Sequence, residues 1–145
     1  MSPSLTVPHL KATIRQGSVY YFRHRSILSE TPHFFVVVNA SPVTDECIVF
    51  LCCSSQVENT KNILDRKPGS TYLLVKAGEY SEFTKDTIID CNQYFKMTSN
   101  ELLEQVNSGF ERKVFRNDFS RSLIDALVEK VKKSDRIPEM IKRLL

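Results

Sequence analysis

The stretch from Glu46 to Gln56 constrains this chain more than any other. Six consecutive apolar residues, Cys47, Ile48, Val49, Phe50, Leu51 and Cys52, are followed at once by Cys53, Ser54, Ser55 and Gln56. The run is rich in β-branched and aromatic types and too short for an ordinary helix, so it reads as a strand buried on both faces at the centre of a β core. Where it stops, a buried strand delivers hydroxyl and amide side chains to its own end. That end reads either as the start of a turn, where serine is common, or as the place for a site.

The neighbouring segments supply partners for such a strand. Val19, Tyr20, Tyr21 and Phe22, opened by Gly17 and Ser18, predict a first strand that runs out into Arg23, His24 and Arg25. Pro32 biases Thr31 towards extended backbone, and after His33 the segment Phe34 to Val38 predicts a second buried strand. Asn39 to Asp45 has the length of a hairpin connection, so strands two and three are expected to be antiparallel neighbours. Further strands are predicted at 70–75, 87–91 and 94–97, with a polar segment at 57–69 read as a loop or one helical turn. Short strands with turn signals at close intervals suggest a small antiparallel barrel or sandwich.

From Thr98 the period changes. Leu102, Leu103 and Val106 follow an acidic first turn and predict a helix ended by Gly109. Phe119, Leu123, Leu127 and Val131 recur every four residues and predict a second helix from about Asn117 to Lys133. Pro138 then opens a short last helix with Ile141 and Leu144 on its apolar side. The expected class is thus α+β and β-rich, with an irregular arm over residues 1–16 and one domain over 17–145 whose helical part starts near residue 98.

Composition narrows the function classes. With 145 residues the chain can bury a core without staples. Its four cysteines, Cys47, Cys52, Cys53 and Cys91, lie in or beside apolar runs without C-x-x-C spacing, which predicts buried free thiols and implies no metal or cofactor. No apolar run approaches 18 residues and residues 1–8 carry no basic leader pattern, so the expectation is a soluble cytoplasmic protein with no membrane partner. A net charge of +3 permits a nucleic-acid partner without requiring one. There is no Gly-rich phosphate loop, G-x-S-x-G elbow or H-E-x-x-H, which removes the common nucleotide, acyl-transfer and metalloprotease signatures.

What remains is a dispersed set of polar groups at strand ends: Arg23 and Arg25, His33, Ser54 to Gln56, and Gln93 to Lys96. In order, these segments resemble the PemK/MazF-like toxins. Gly17 to Phe22 is similar to that family's opening G-D-I-x-x-V strand, and His33 to Val38 stands where its R-P-A-L-V-L strand would be. Cys53-Ser54-Ser55-Gln56 looks like its T-S-Q or T-T-Q strand end, and Phe83 to Gln93 resembles its L-x-K-D-S-V-V-x-C-D-Q segment. Two positions depart: His33 replaces the arginine before the second strand, and Tyr94 and Phe95 stand where an arginine commonly follows the glutamine.

The resemblance implies an SH3-like antiparallel barrel with C-terminal helices. It also implies a homodimer that cleaves single-stranded RNA without metal and is silenced by an antitoxin protein. On this chain it points to His33, Ser54 and Ser55 at the reacting phosphate, and to Arg23, Arg25, Gln56, Gln93 and Lys96 on the RNA. The alternative it leaves open is a catalytically silent barrel of the same kind that binds protein or RNA.

Overall fold

A computed structural model describes residues 6–24, 32–108, 113–114 and 118–145. Among these residues, seven strands form one antiparallel sheet, with the path β4-β5-β3-β2-β1-β7 and β6 attached to β3. In chain order these are β1 (Val19–Phe22), β2 (His33–Val37), β3 (Ile48–Ser54), β4 (Tyr72–Val75), β5 (Thr87–Asp90), β6 (Phe95–Met97) and β7 (Lys113–Val114). Five helices accompany them: α1 (Val7–Thr13), α2 (Val57–Asp65), α3 (Ser99–Ser108), α4 (Arg121–Lys133) and α5 (Glu139–Lys142).

The apolar run does sit at the centre, as β3. One edge pairs with β2 from Phe50 to Cys53, while the other meets β6 at Ile48, Val49 and Phe50 and then β5 at Cys53 and Ser54. A seven-residue strand with three partners must be apolar almost throughout, and Ile48 to Leu51 are all buried. The strand continues two residues beyond the apolar run, because Cys53 and Ser54 still have ladder partners in Ile89 and Ile88.

Alternation along the strands feeds two cores, one on each face of the sheet. Val19, Val36, Val49, Leu51 and Ile89 face α4 and α5, whose Leu123, Leu127, Val131 and Ile141 cover them. Tyr20, Phe35, Val37, Ile48 and Phe50 face the other way, onto Leu10 of α1 and Leu102 of α3. Gly17 marks the closest approach of strand and helix. It has φ +93°, donates to the Val37 carbonyl at 2.8 Å, and a Cβ there would lie 2.6 Å from Ile124 Cδ1. Asn39, fully buried, closes the β2–β3 connection by donating to Asp45 and the Cys47 carbonyl and accepting from Val49 N–H.

Three sequence expectations need correction. No pairing among the described residues joins β4 to β7, so the sheet is open rather than a closed barrel, with a helical layer on each face. The polar segment after Gln56 is a nine-residue helix, α2, of which only Leu64 is buried. With only Val57, Ile63 and Leu64 apolar among its nine residues, the segment reads as polar and short of a core-facing stripe. Residues 7–13 are likewise helical, capped by Thr6 accepting from His9 N–H, with Leu10 fully buried.

The two longer C-terminal helices are present where their periodicity predicts them, although α4 begins at Arg121, so that Phe119 precedes it. Thr98 and Glu101 form a reciprocal capping box at the start of α3, at 3.1 and 3.2 Å, and Ser120 caps α4 through Leu123 N–H. The strands predicted at 34–38, 70–75, 87–91 and 94–97 are present as β2, β4, β5 and β6, each displaced or shortened by one or two residues, and the first predicted strand is present as β1. The two-residue β7 has no counterpart in the sequence reading. Gly109, Asn117 and residues 25–31, Arg25 among them, lie outside the described residues.

Candidate functional site

The start of β2 and the end of β3 lie side by side, because Phe34 pairs with Cys53 in an antiparallel register. That pair ends the β2–β3 ladder, and His33 and Ser54 are the next residue along each strand. On its other side His33 pairs with Phe22, and Ser54 with Ile88. Two polar residues 21 positions apart in the chain are thus placed as neighbours by the central ladder.

Both are among the residues that line a cleft of about 340 Å³, together with Ser55, Gln56, Glu82, Thr84, Lys85 and Thr87. Tyr21 and Phe34 lie along it with ring centroids 4.8 Å apart, and Phe34 packs edge-on against buried Phe83 at 5.0 Å. Tyr20, Phe22 and Phe35 are buried, whereas half-buried Tyr21 and Phe34 give the cleft an aromatic wall.

Local hydrogen bonds hold the polar groups in place. Ser54 Oγ accepts from Gln56 N–H at 3.1 Å, which fixes the hydroxyl oxygen and leaves its proton for donation. Gln56 is also the N-cap residue of α2, and its side chain makes no capping bond. Thr87 Oγ donates to the Lys85 carbonyl at 3.0 Å. Asp86 accepts from Ala77 N–H at 2.9 Å and pairs with Lys76 at 3.5 Å, and that backbone hydrogen bond, helped by Lys76, holds its carboxyl below the usual range. The loop carrying Lys85 is thereby tied at its base.

The remaining predicted site residues do not join this cleft. Arg23 is exposed one residue beyond β1 and is not among the lining residues. Arg25 lies outside the described residues. Gln93 and Lys96 are exposed beyond the opposite end of β5 and on β6, and Lys96 pairs with Val49, five residues back along β3 from Ser54, or roughly 16 Å at the rise of a strand. Asn92, beside Gln93, is structural: it accepts from Thr71 N–H and Ser134 Oγ and donates to the Thr71 carbonyl, clamping β4 to the end of α4. His24 packs its ring among Phe22, Phe35 and Phe95.

Sequence reasoning missed Lys85 and Thr87 as site residues. Both stand in the Phe83 to Gln93 segment that resembles the toxins, and only the fold brings β5's start beside the end of β3. The cysteines carry no signal of reactivity. Burial pushes the Cys52 and Cys91 thiols up to about 12 and the Cys53 thiol well above its ordinary value, so all three are protonated packing groups. Among the described residues no helix is long and apolar enough to cross a membrane. No protein-family model matches the chain, and no curated protein sequence matches it.

Proposed function

We propose that this cleft cleaves single-stranded RNA by activating the RNA's own 2′-hydroxyl. One observation carries the reading: the polar residues that the toxin-like motifs single out at separate points of the sequence, His33 and Ser54 to Gln56, converge on one cleft with an aromatic wall and a lysine. In the proposed step the 2′-oxygen bonds to phosphorus while the bond to the 5′-oxygen breaks. His33 takes the 2′ proton, Ser54 donates a hydrogen bond to a phosphate oxygen, and the departing 5′-oxygen takes a proton from water. The products are a 2′,3′-cyclic phosphate and a 5′-hydroxyl. Tyr21 offers a face for an unstacked base and Gln56 an amide for its edge, a mode suited to single strands.

A second reading, a silent binding module, is favoured by His33 standing where the family has arginine and by Arg23 lying off the cleft. The two are separated by incubating the purified protein with mixed-sequence single-stranded RNA in chelator. Cleavage supports the nuclease. Uncut RNA across several sequences, with no growth inhibition on expression, selects the module.

The nuclease reading takes the chain as a homodimer that an antitoxin protein neutralises. The unpaired outer edges of β4 and β7 among the described residues are consistent with a partner. Light scattering at micromolar concentration is expected to give twice the 16.7 kDa chain mass, and a monomer mass would remove the dimer.

A further inference from the structure

We propose that Lys85 is the cation that binds the scissile phosphate in this cleft and leads the RNA strand from it into the groove beside α2. The inference rests on the nuclease reading. It answers a question the sequence leaves open, namely which positive charge replaces the family's missing arginines.

Phosphoryl chemistry needs a cation close to the oxygens on which charge develops. Of the three cationic side chains expected to serve, Arg23 and Lys96 do not line the cleft and Arg25 lies outside the described residues. Lys85 does line it, and it also lines the adjoining groove, whose walls carry Gln56, Val57, Asn59 and Ala77 together with the carboxylates Glu58 and Asp86. It is the one lysine or arginine common to both among the described residues. A strand lying across Lys85 therefore has the His33 and Ser54 pair on one side and the first turn of α2 on the other.

The charge of Lys85 is also available. It makes no ion pair among the described residues, and the acidic neighbour that could neutralise it, Asp86, is already held by Ala77 N–H and Lys76. Glu82, the acid that shares the cleft, makes no ion pair with it. Meanwhile the Thr87 hydroxyl holds the Lys85 carbonyl, so the backbone is fixed while the ammonium is exposed on a flexible stem. An exposed, unpaired ammonium on an anchored loop binds a phosphate as a point charge.

The test uses the full chain and two RNAs of one sequence. A fluorescent single-stranded RNA carrying 2′-O-methyl groups reports binding without cleavage, and the unmodified RNA reports turnover. Lys85→Met and Lys85→Gln should each weaken binding of the methylated strand, with the log–log salt dependence shallower by about 0.7, the loss of one phosphate contact on a single strand. Turnover at saturating RNA should fall about 10-fold or more, as expected for removing a group that stabilises developing charge. Lys85→Arg should restore most of both, and Lys96→Met should change neither. An unchanged thermal midpoint for the exposed-site variants shows that the fold is intact. Wild-type cleavage with unaltered binding, salt slope and turnover in both Lys85 variants would overturn the role of Lys85 and leave the nuclease standing. A wild-type protein that neither binds nor cuts RNA would overturn both.

Discussion

Replacing His33 with alanine is expected to lower RNA turnover by about 10²–10⁴-fold, the usual contribution of a positioned acid or base, while leaving the fold intact. His33 begins β2 and is only half-buried, so the truncation removes little packing. Single-turnover cleavage measured beside the far-ultraviolet circular dichroism spectrum checks both halves of the statement. The serines should not behave alike. Ser54 directly follows the last β2–β3 pair and its hydroxyl is fixed by Gln56 N–H, whereas Ser55 lies one residue past the strand and is exposed. Ser54→Ala should therefore be the more damaging change. Turnover unchanged by His33→Ala would leave the RNA-cleaving cleft standing but remove this histidine from the chemistry.

The largest expected effect on stability is at Phe35. Its side chain is fully buried, stacks on Phe22 at 4.4 Å, and meets Phe50 and Phe95 edge-on at 6.4 and 5.5 Å. Phe35→Ala removes the centre of this aromatic group and leaves a cavity between the sheet and α3, at a cost of about 3–5 kcal/mol. Domains are commonly stable by only about 5–15 kcal/mol, so the variant should unfold at much lower denaturant with a similar slope. Because Phe35 lies two residues from His33 on the same face of β2, loss of cleavage should accompany loss of fold in this variant. Leu74→Ala, at a position 38% exposed, should move the midpoint far less.

The β core was legible because each strand carries its own signal. Phe34 to Val38 and Cys47 to Cys52 are continuous apolar runs, and such runs occur where both faces of a strand are covered, as they are here by α4 on one side and by α1 and α3 on the other. The acidic first turn of α3 and the four-residue repeat of α4 were legible for the same local reason. Whether the sheet closes was not. Closure depends on which edges meet, and that is decided by twist and by long-range pairing that no short window contains. α2 escaped because only Val57, Ile63 and Leu64 among its nine residues are apolar.

The candidate site divides along the same line. His33 and Ser54 could be named because strand ends are readable, but their adjacency required the register of β2 on β3. Lys85 needed more, since its place in the cleft depends on β5 pairing with the far end of β3 rather than with its sequence neighbour alone. Conversely, Gln93 and Lys96 come after β5 in the chain, and an antiparallel strand that starts at the cleft delivers its later residues to the opposite end of the sheet. Arg23 and Lys96 show how weakly a charge in a motif predicts its position, because exposed cations are the ordinary surface of any protein.

Mass analysis of the RNA ends tests the proposed chemistry most directly. The unmodified single-stranded RNA is incubated with the protein in chelator, and the fragments are weighed. The proposed step yields 5′ fragments ending in a 2′,3′-cyclic phosphate and 3′ fragments beginning with a 5′-hydroxyl, and replacement of the 2′-hydroxyl at the cut position by hydrogen abolishes that cut. RNA left intact, fragments bearing a 5′-phosphate, or cleavage that survives the 2′-deoxy substitution would contradict it.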